Sequence, residues 1–153
     1  MSAASSTASS EGSWLLPRWE RARVGDAMRR GVMSCPPAAS LRTVARMMAT
    51  HHVHSVVVPC EVPERDGTMG ERVWGIVTDR ALVLAGEAAD EIPAGNAADR
   101  DVPVAEPHWP LAQAAKLMTD HGVSHVVVVD SERRPIGMLS TLDLAGVIAW
   151  GEL

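Results

Sequence analysis

The chain has 153 residues, 46% of them hydrophobic, enough to bury one compact unit or two small ones sharing a core. Its 14 Lys and Arg against 19 Asp and Glu give a formal charge of −5, so no general field draws it to nucleic acid or an anionic membrane. Cys35 and Cys60 lie far apart without CxxC spacing, which fits a reducing, cytoplasmic setting; apolar runs such as 126–129 fall far short of the ~20 residues a membrane helix needs.

Residues 1–20 read as a disordered tail, Ser/Ala-rich at its start and lacking both the basic opening and the apolar stretch of a signal peptide. Trp14 and Trp19 suit the docking of that tail on the rest of the chain or on a partner. A short extended piece at 32–34 leads to a helix from Leu41, where apolar residues recur at i, i+3, i+4, i+6 and i+7 and Ser40 is placed to cap it. The Val-rich run 55–58 is a buried strand, and 73–77 a second one. Between them, the polar, Gly-containing stretch 61–72 is expected to be an exposed hairpin loop. A helix over 79–85 follows. The acidic segment 86–95, which holds Pro93, is the expected linker.

The same series then recurs. A shift of 70 lays Leu41, Val44, Met48, His51 and Val53 on Leu111, Ala114, Met118, His121 and Val123, and Val56–Val58 on Val126–Val128. A shift of 62 lays Gly75-Ile76-Val77-Thr78 on Gly137-Met138-Leu139-Ser140, so the first half carries an eight-residue insertion. The second half is thus an extended piece at 102–104, a helix from Leu111 with Pro110 in its first turn, strands over 125–129 and 135–139, and a helix over 141–150. Each half is β-α-β-β-α, giving two repeats over 21–88 and 89–153. Trp109 and Trp150 flank helices as core or interface anchors.

This repeated unit, with Val24-Gly25-Asp26-Ala27-Met28 ahead of it, Gly75-Ile76-Val77-Thr78-Asp79-Arg80-Ala81-Leu82 in one half and Gly137-Met138-Leu139-Ser140-Thr141-Leu142-Asp143-Leu144 in the other, resembles the CBS domain. The resemblance covers about residues 24–150. It implies an α/β (α+β) fold in which tandem repeats pack as a pseudo-twofold pair, with a disc-like homodimer as the usual assembly. It also implies clefts for AMP, ADP, ATP or S-adenosylmethionine, and a regulatory role toward a protein partner that the sequence does not name. Because the chain stops soon after Trp150, that partner is expected to be encoded elsewhere.

The resemblance assigns Ser140 and Thr141 to the ligand's phosphate at a helix start, where free backbone N–H groups attract anions. It assigns Asp143 to the ribose hydroxyls. The same Ser-x-x-Asp spacing is equally the mark of a capping box, in which Ser140 bonds forward and Asp143 back. In the first half Thr78 is kept but Ala81 stands where Asp143 would, so one competent site per chain is expected. Val102, Val104, Gly122 and Val123 are the family's adenine slot, or ordinary core. His54, Arg80 and His125 are candidates for the phosphate, with solvated or structural roles as the alternative.

No GxSxG, Walker lysine, HExxH or Cys-His arrangement supports catalysis, so a non-enzymatic module is expected. His51, His52 and His54, with His121 and His125, lack a fixed ligand geometry, which leaves a metal sensor as an outsider and no metal site assigned. A ligand-free dimerising adaptor is the main rival.

Overall fold

The computed structural model describes residues 16–152. In chain order they form α1 (Val24–Ala27), β1 (Arg29–Arg30), α2 (Leu41–His51), β2 (Ser55–Pro63), β3 (Met69–Thr78), α3 (Asp79–Ala85), a 3-10 turn (Gly86–Asp90), α4 (Ala94–Ala97), β4 (Val104–Ala105), α5 (Leu111–His121), β5 (His125–Val129), β6 (Pro135–Ser140) and α6 (Thr141–Trp150). The mixed α/β class is the one expected from the repeat; α1, α4, the 3-10 turn and a strand as early as Arg29–Arg30 are not part of that expectation, and of the extended piece placed at 32–34 only Ser34 makes a strand bridge, to Val57. No helix among the described residues is long and apolar enough to cross a membrane.

The long helices form where the apolar spacing places them. Leu41, Val44 and Met48 are buried on one face of α2, and Leu111, Ala114 and Met118 on the matching face of α5. The Ser40 hydroxyl accepts from the Thr43 amide to start α2, and His52, at φ 55°, ends it in the left-handed region. Gly122 takes the same conformation after α5, at φ 62°. The triplets Val56–Val58 and Val126–Val128 are buried at the centre of their strands.

Two expectations need correction. The insertion is not a loop: β2 and β3 continue through it as a paired ribbon, with Glu61 opposite Glu71 and Pro63 opposite Met69. Only residues 64–68 turn. Asp66 Oδ1 accepts from both the amide and the hydroxyl of Thr68, and Gly67 supplies a φ of 87°. The register shifts between Val58 and Pro59, where proline removes a ladder donor. Nor is 86–95 a loose linker. Ala94 is fully buried, Ala89 and Ile92 pack on the same core, and Arg42 pairs with Asp90.

The described chain divides into two compact units that do not follow chain order. An N-terminal unit comprises Gly31–Val102 with Ser131–Ile136; a C-terminal unit joins the segment ending at Arg30 to Pro103–Asp130 and to the residues from Gly137 onward. The cause is an exchange of leading segments. In the C-terminal unit the Val24 amide donates to the Trp109 carbonyl, Gly25 to Pro107, and Leu111 to Ala22. In the N-terminal unit Ala94 donates to Ala39, Gly95 to Pro37, and Leu41 to Ile92. Every residue in one set is 70 positions from its counterpart in the other. Each short helix, α1 or α4, therefore docks on the long helix of the repeat to which it does not lead.

The sheets follow from this. The C-terminal unit holds a sheet of order β1-β6-β5-β4, with β1 antiparallel to β6 and β4 parallel to β5. The N-terminal unit holds β2-β3, extended by a parallel bridge from Ser34 to Val57 and an antiparallel one from Asp99 to Ile76. Of the tail expected over 1–20, residues 1–15 with Trp14 lie outside the described residues. Residues 19–21 make a turn, across which the Arg18 carbonyl accepts from Arg21 and Ala22, while the Leu16 carbonyl accepts from Glu152. Trp150 is 52% exposed and so is no core anchor.

Candidate functional site

The glycine of the repeated Gly-hydrophobic-x-Thr/Ser motif explains how each site is assembled. A Cβ on Gly137 would stand 2.5 Å from the Arg29 carbonyl oxygen, and one on Gly75 would stand 2.8 Å from that of Asp99. Only a residue without a side chain lets the exchanged segment cross the strand there. In the C-terminal unit, Arg29 is thereby laid opposite Met138, beside the start of α6.

At that start Ser140 is the N-cap of α6. Its hydroxyl accepts from the Asp143 amide at 3.3 Å, and Asp143 Oδ2 accepts from the Ser140 amide at 2.8 Å and from its hydroxyl at 3.0 Å. This is the capping box that the tetrapeptide allowed. The second oxygen, Oδ1, lies 3.4 Å from Arg29 Nε, with the carboxylate side chain 10% exposed and that of the arginine 62%. The Thr141 amide donates to the Ser124 carbonyl at 3.0 Å. Of the amides expected to be free at this helix start, those of Ser140, Thr141 and Asp143 are engaged, by the cap and by the loop before β5.

The remaining predicted residues fall into two groups. In the C-terminal unit His125 Nδ1 lies 3.1 Å from the Ser124 hydroxyl, which brings it to the loop that holds Thr141. Gly122 and Val123 form the end of α5, their amides donating to Thr119 and Met118. Val104 is half-buried in β4, opposite Val127. In the N-terminal unit Val102 precedes β4 outside any strand, and His54, Thr78 and Arg80 cluster at the start of α3. There the Asp79 amide donates to the His54 carbonyl, and His54 Nδ1 meets Asp79 Oδ2 at 2.9 Å. Thr78 makes no side-chain cap, and the position of Asp143 is filled by Ala81.

Arg29 and Ser124 are the residues that sequence reasoning missed. A basic pair directly after Val24–Met28 was the available signal for the first, but its partner is 114 positions away.

One cavity, of about 600 Å³, belongs to the N-terminal unit and is lined by Cys35, Pro36, Pro59, Cys60 and Trp74 among others, none of them a predicted site residue. Burial pushes the Cys35 thiol above its ordinary pKa, so it is a poor nucleophile. Among the described residues no three His, Cys, Asp or Glu side chains are grouped to hold a metal ion.

Comparison with known proteins agrees with the repeat. The CBS domain family matches residues 24–87 and again 94–149. An uncharacterized protein of Methanopyrus kandleri is 30% identical over 128 residues, covering 81% of this chain and 61% of that one. The chain thus spans about three-fifths of this curated relative. Among solved structures, the CBS domain pair of protein MJ0100, in complex with 5′-methylthioadenosine and S-adenosyl-L-methionine, superposes with a TM-score of 0.69 at 20% identity, covering 83% of this chain and 95% of that one. A CBS domain protein of Pyrobaculum aerophilum complexed with AMP gives a TM-score of 0.64 at 29% identity, over 80% of this chain and 89% of that one.

Proposed function

Since this chain belongs to the CBS domain family, we propose that it is a non-catalytic regulatory module that binds an adenosine-type ligand at Ser140 and Asp143 and passes the binding on to a protein partner. The AMP-bound relative of P. aerophilum supports the ligand class. The observation that carries the reading is the state of Asp143. One of its oxygens is committed to the cap, whereas the other faces only a long contact from an exposed arginine, so a ribose hydroxyl can compete for it. Val104, Gly122 and Val123 are the proposed adenine surface. His54, Thr78, Arg80 and Val102 belong to the same unit as Ala81 and would serve a weaker or altered cleft. The module would work as a homodimer in a reducing cytoplasm, where Cys35 and Cys60 stay thiols. Each unit exposes apolar side chains that suit burial in an interface, Leu142, Ile148 and Trp150 on α6 in one and Val83 and Leu84 on α3 in the other.

The adaptor reading is favoured by one observation, the nearly buried carboxylate folded back onto Ser140. Thermal melting separates the two. A ligand at about 100 times its Kd adds roughly 2.7 kcal/mol, several degrees for a chain of this size. AMP, ADP, ATP or S-adenosylmethionine should raise the melting temperature of the wild type and not that of Asp143→Asn, which keeps an acceptor for the cap. A stable dimer unmoved by all four compounds would leave the adaptor.

A further inference from the structure

From the setting of Arg29, and resting on the ligand site just described, we propose that this residue makes the Asp143 cleft select phosphorylated adenosine compounds over uncharged or cationic ones. With the Ser140, Thr141 and Asp143 amides engaged, the start of α6 has few backbone donors left for an anion. The cation at the carboxylate is Arg29, whose backbone is set beside α6 by the β1–β6 pairing that Gly137 permits. A ribose hydroxyl that takes Asp143 Oδ1 displaces the guanidinium from its 3.4 Å contact. The side chain is 62% exposed and able to turn, and its planar fork of donors then meets a phosphate with two parallel hydrogen bonds. Ligand-free, the same guanidinium rests against Asp143 Oδ1. Arg29 is thus both a latch on the empty site and the anion contact of the filled one.

The other half of the molecule supports this pairing of duties. The counterpart of Arg29, by the shift of 70, is Asp99, which bridges Ile76 as Arg29 pairs with Met138. The counterpart of Asp143 is Ala81. Where the carboxylate is gone, its arginine is gone too, and an acid stands in place of the base.

The test is calorimetric titration of AMP and adenosine into the wild type, Arg29→Gln, Arg29→Lys and Asp143→Asn. Arg29→Gln should bind AMP about tenfold or more weakly, while adenosine binds as well as before or tighter because Oδ1 is released. Arg29→Lys should restore a good part of the AMP affinity. If AMP and adenosine weaken together in Arg29→Gln, or neither changes, the selecting role is overturned while the site stands. If Asp143→Asn binds AMP like the wild type, the site itself is misplaced and the inference falls with it.

Discussion

Asp143 has two uses for one carboxylate. As a capping residue it satisfies the Ser140 amide, which would otherwise face the interior without a partner, and as a proposed ligand contact it must turn an oxygen outward. The division is visible in the distances, 2.8 Å to the backbone against 3.4 Å to Arg29. Removing the cap therefore costs stability whether or not any ligand exists. Ser140→Ala should lower unfolding free energy by about 1 kcal/mol in urea titration, and Asp143→Asn by less, since its amide oxygen still accepts. At this scale the sequence was legible for Ser140 and Asp143, whose spacing encodes the cap. It was not legible for Arg29 or Ser124, because a contact across more than a hundred residues, or one made through a loop carbonyl, leaves no local spacing to read.

Among the elements, the ribbon of β2 and β3 outside the buried valines adds one charged clasp to its backbone ladder. Arg72 grips Glu64 through two nitrogens, at 2.9 and 3.2 Å, with Arg134 within 4.0 Å. Gly70 leaves the room, since a Cβ there would overlap Glu64 Oε2. The hydrogen bond from Arg72, with the positive charge behind it, holds the Glu64 carboxyl below its ordinary pKa. The folded chain thus takes up this proton less readily than the unfolded one. The clasp's contribution is complete above the usual glutamate value of about 4.3 and is lost as pH falls through the lower folded value. Melting curves from pH 7 to pH 3 should show a smaller acid-induced drop for Arg72→Ala than for the wild type; equal drops would mean the clasp carries no stability. The ribbon was unreadable as strand because its half-buried face carries Gly70 and Arg72 while its exposed face carries Pro63 and Met69 beside Glu61 and Glu71, so the period of 2 shows no matching alternation in hydropathy. Helices α2 and α5, each with one buried stripe, were placed from Leu41 and Leu111 without error.

Across the whole molecule, the exchange of leading segments makes position along the chain a poor guide to what each residue stabilises. Val24 is fully buried and belongs with the C-terminal unit, and Ala94 is fully buried in the core of the N-terminal one. Deleting residues 1–30 should therefore loosen the far end of the sequence. Hydrogen exchange is expected to speed up at the amides of α5, β6 and α6, with those of α2 and β2 changing less; the opposite order would contradict the exchange. No periodicity reveals such an arrangement, since a two-residue strand like β1 is defined only by its partner. A further consequence lies in the meeting of Leu16 with Glu152, whose carbonyl and amide are 2.9 Å apart. The backbone nearly closes on itself there, so a short splice from 152 to 16 would give a ring. Fresh termini could then be cut into the exposed turn at 64–68, yielding a circular permutant that keeps every interstrand register described above.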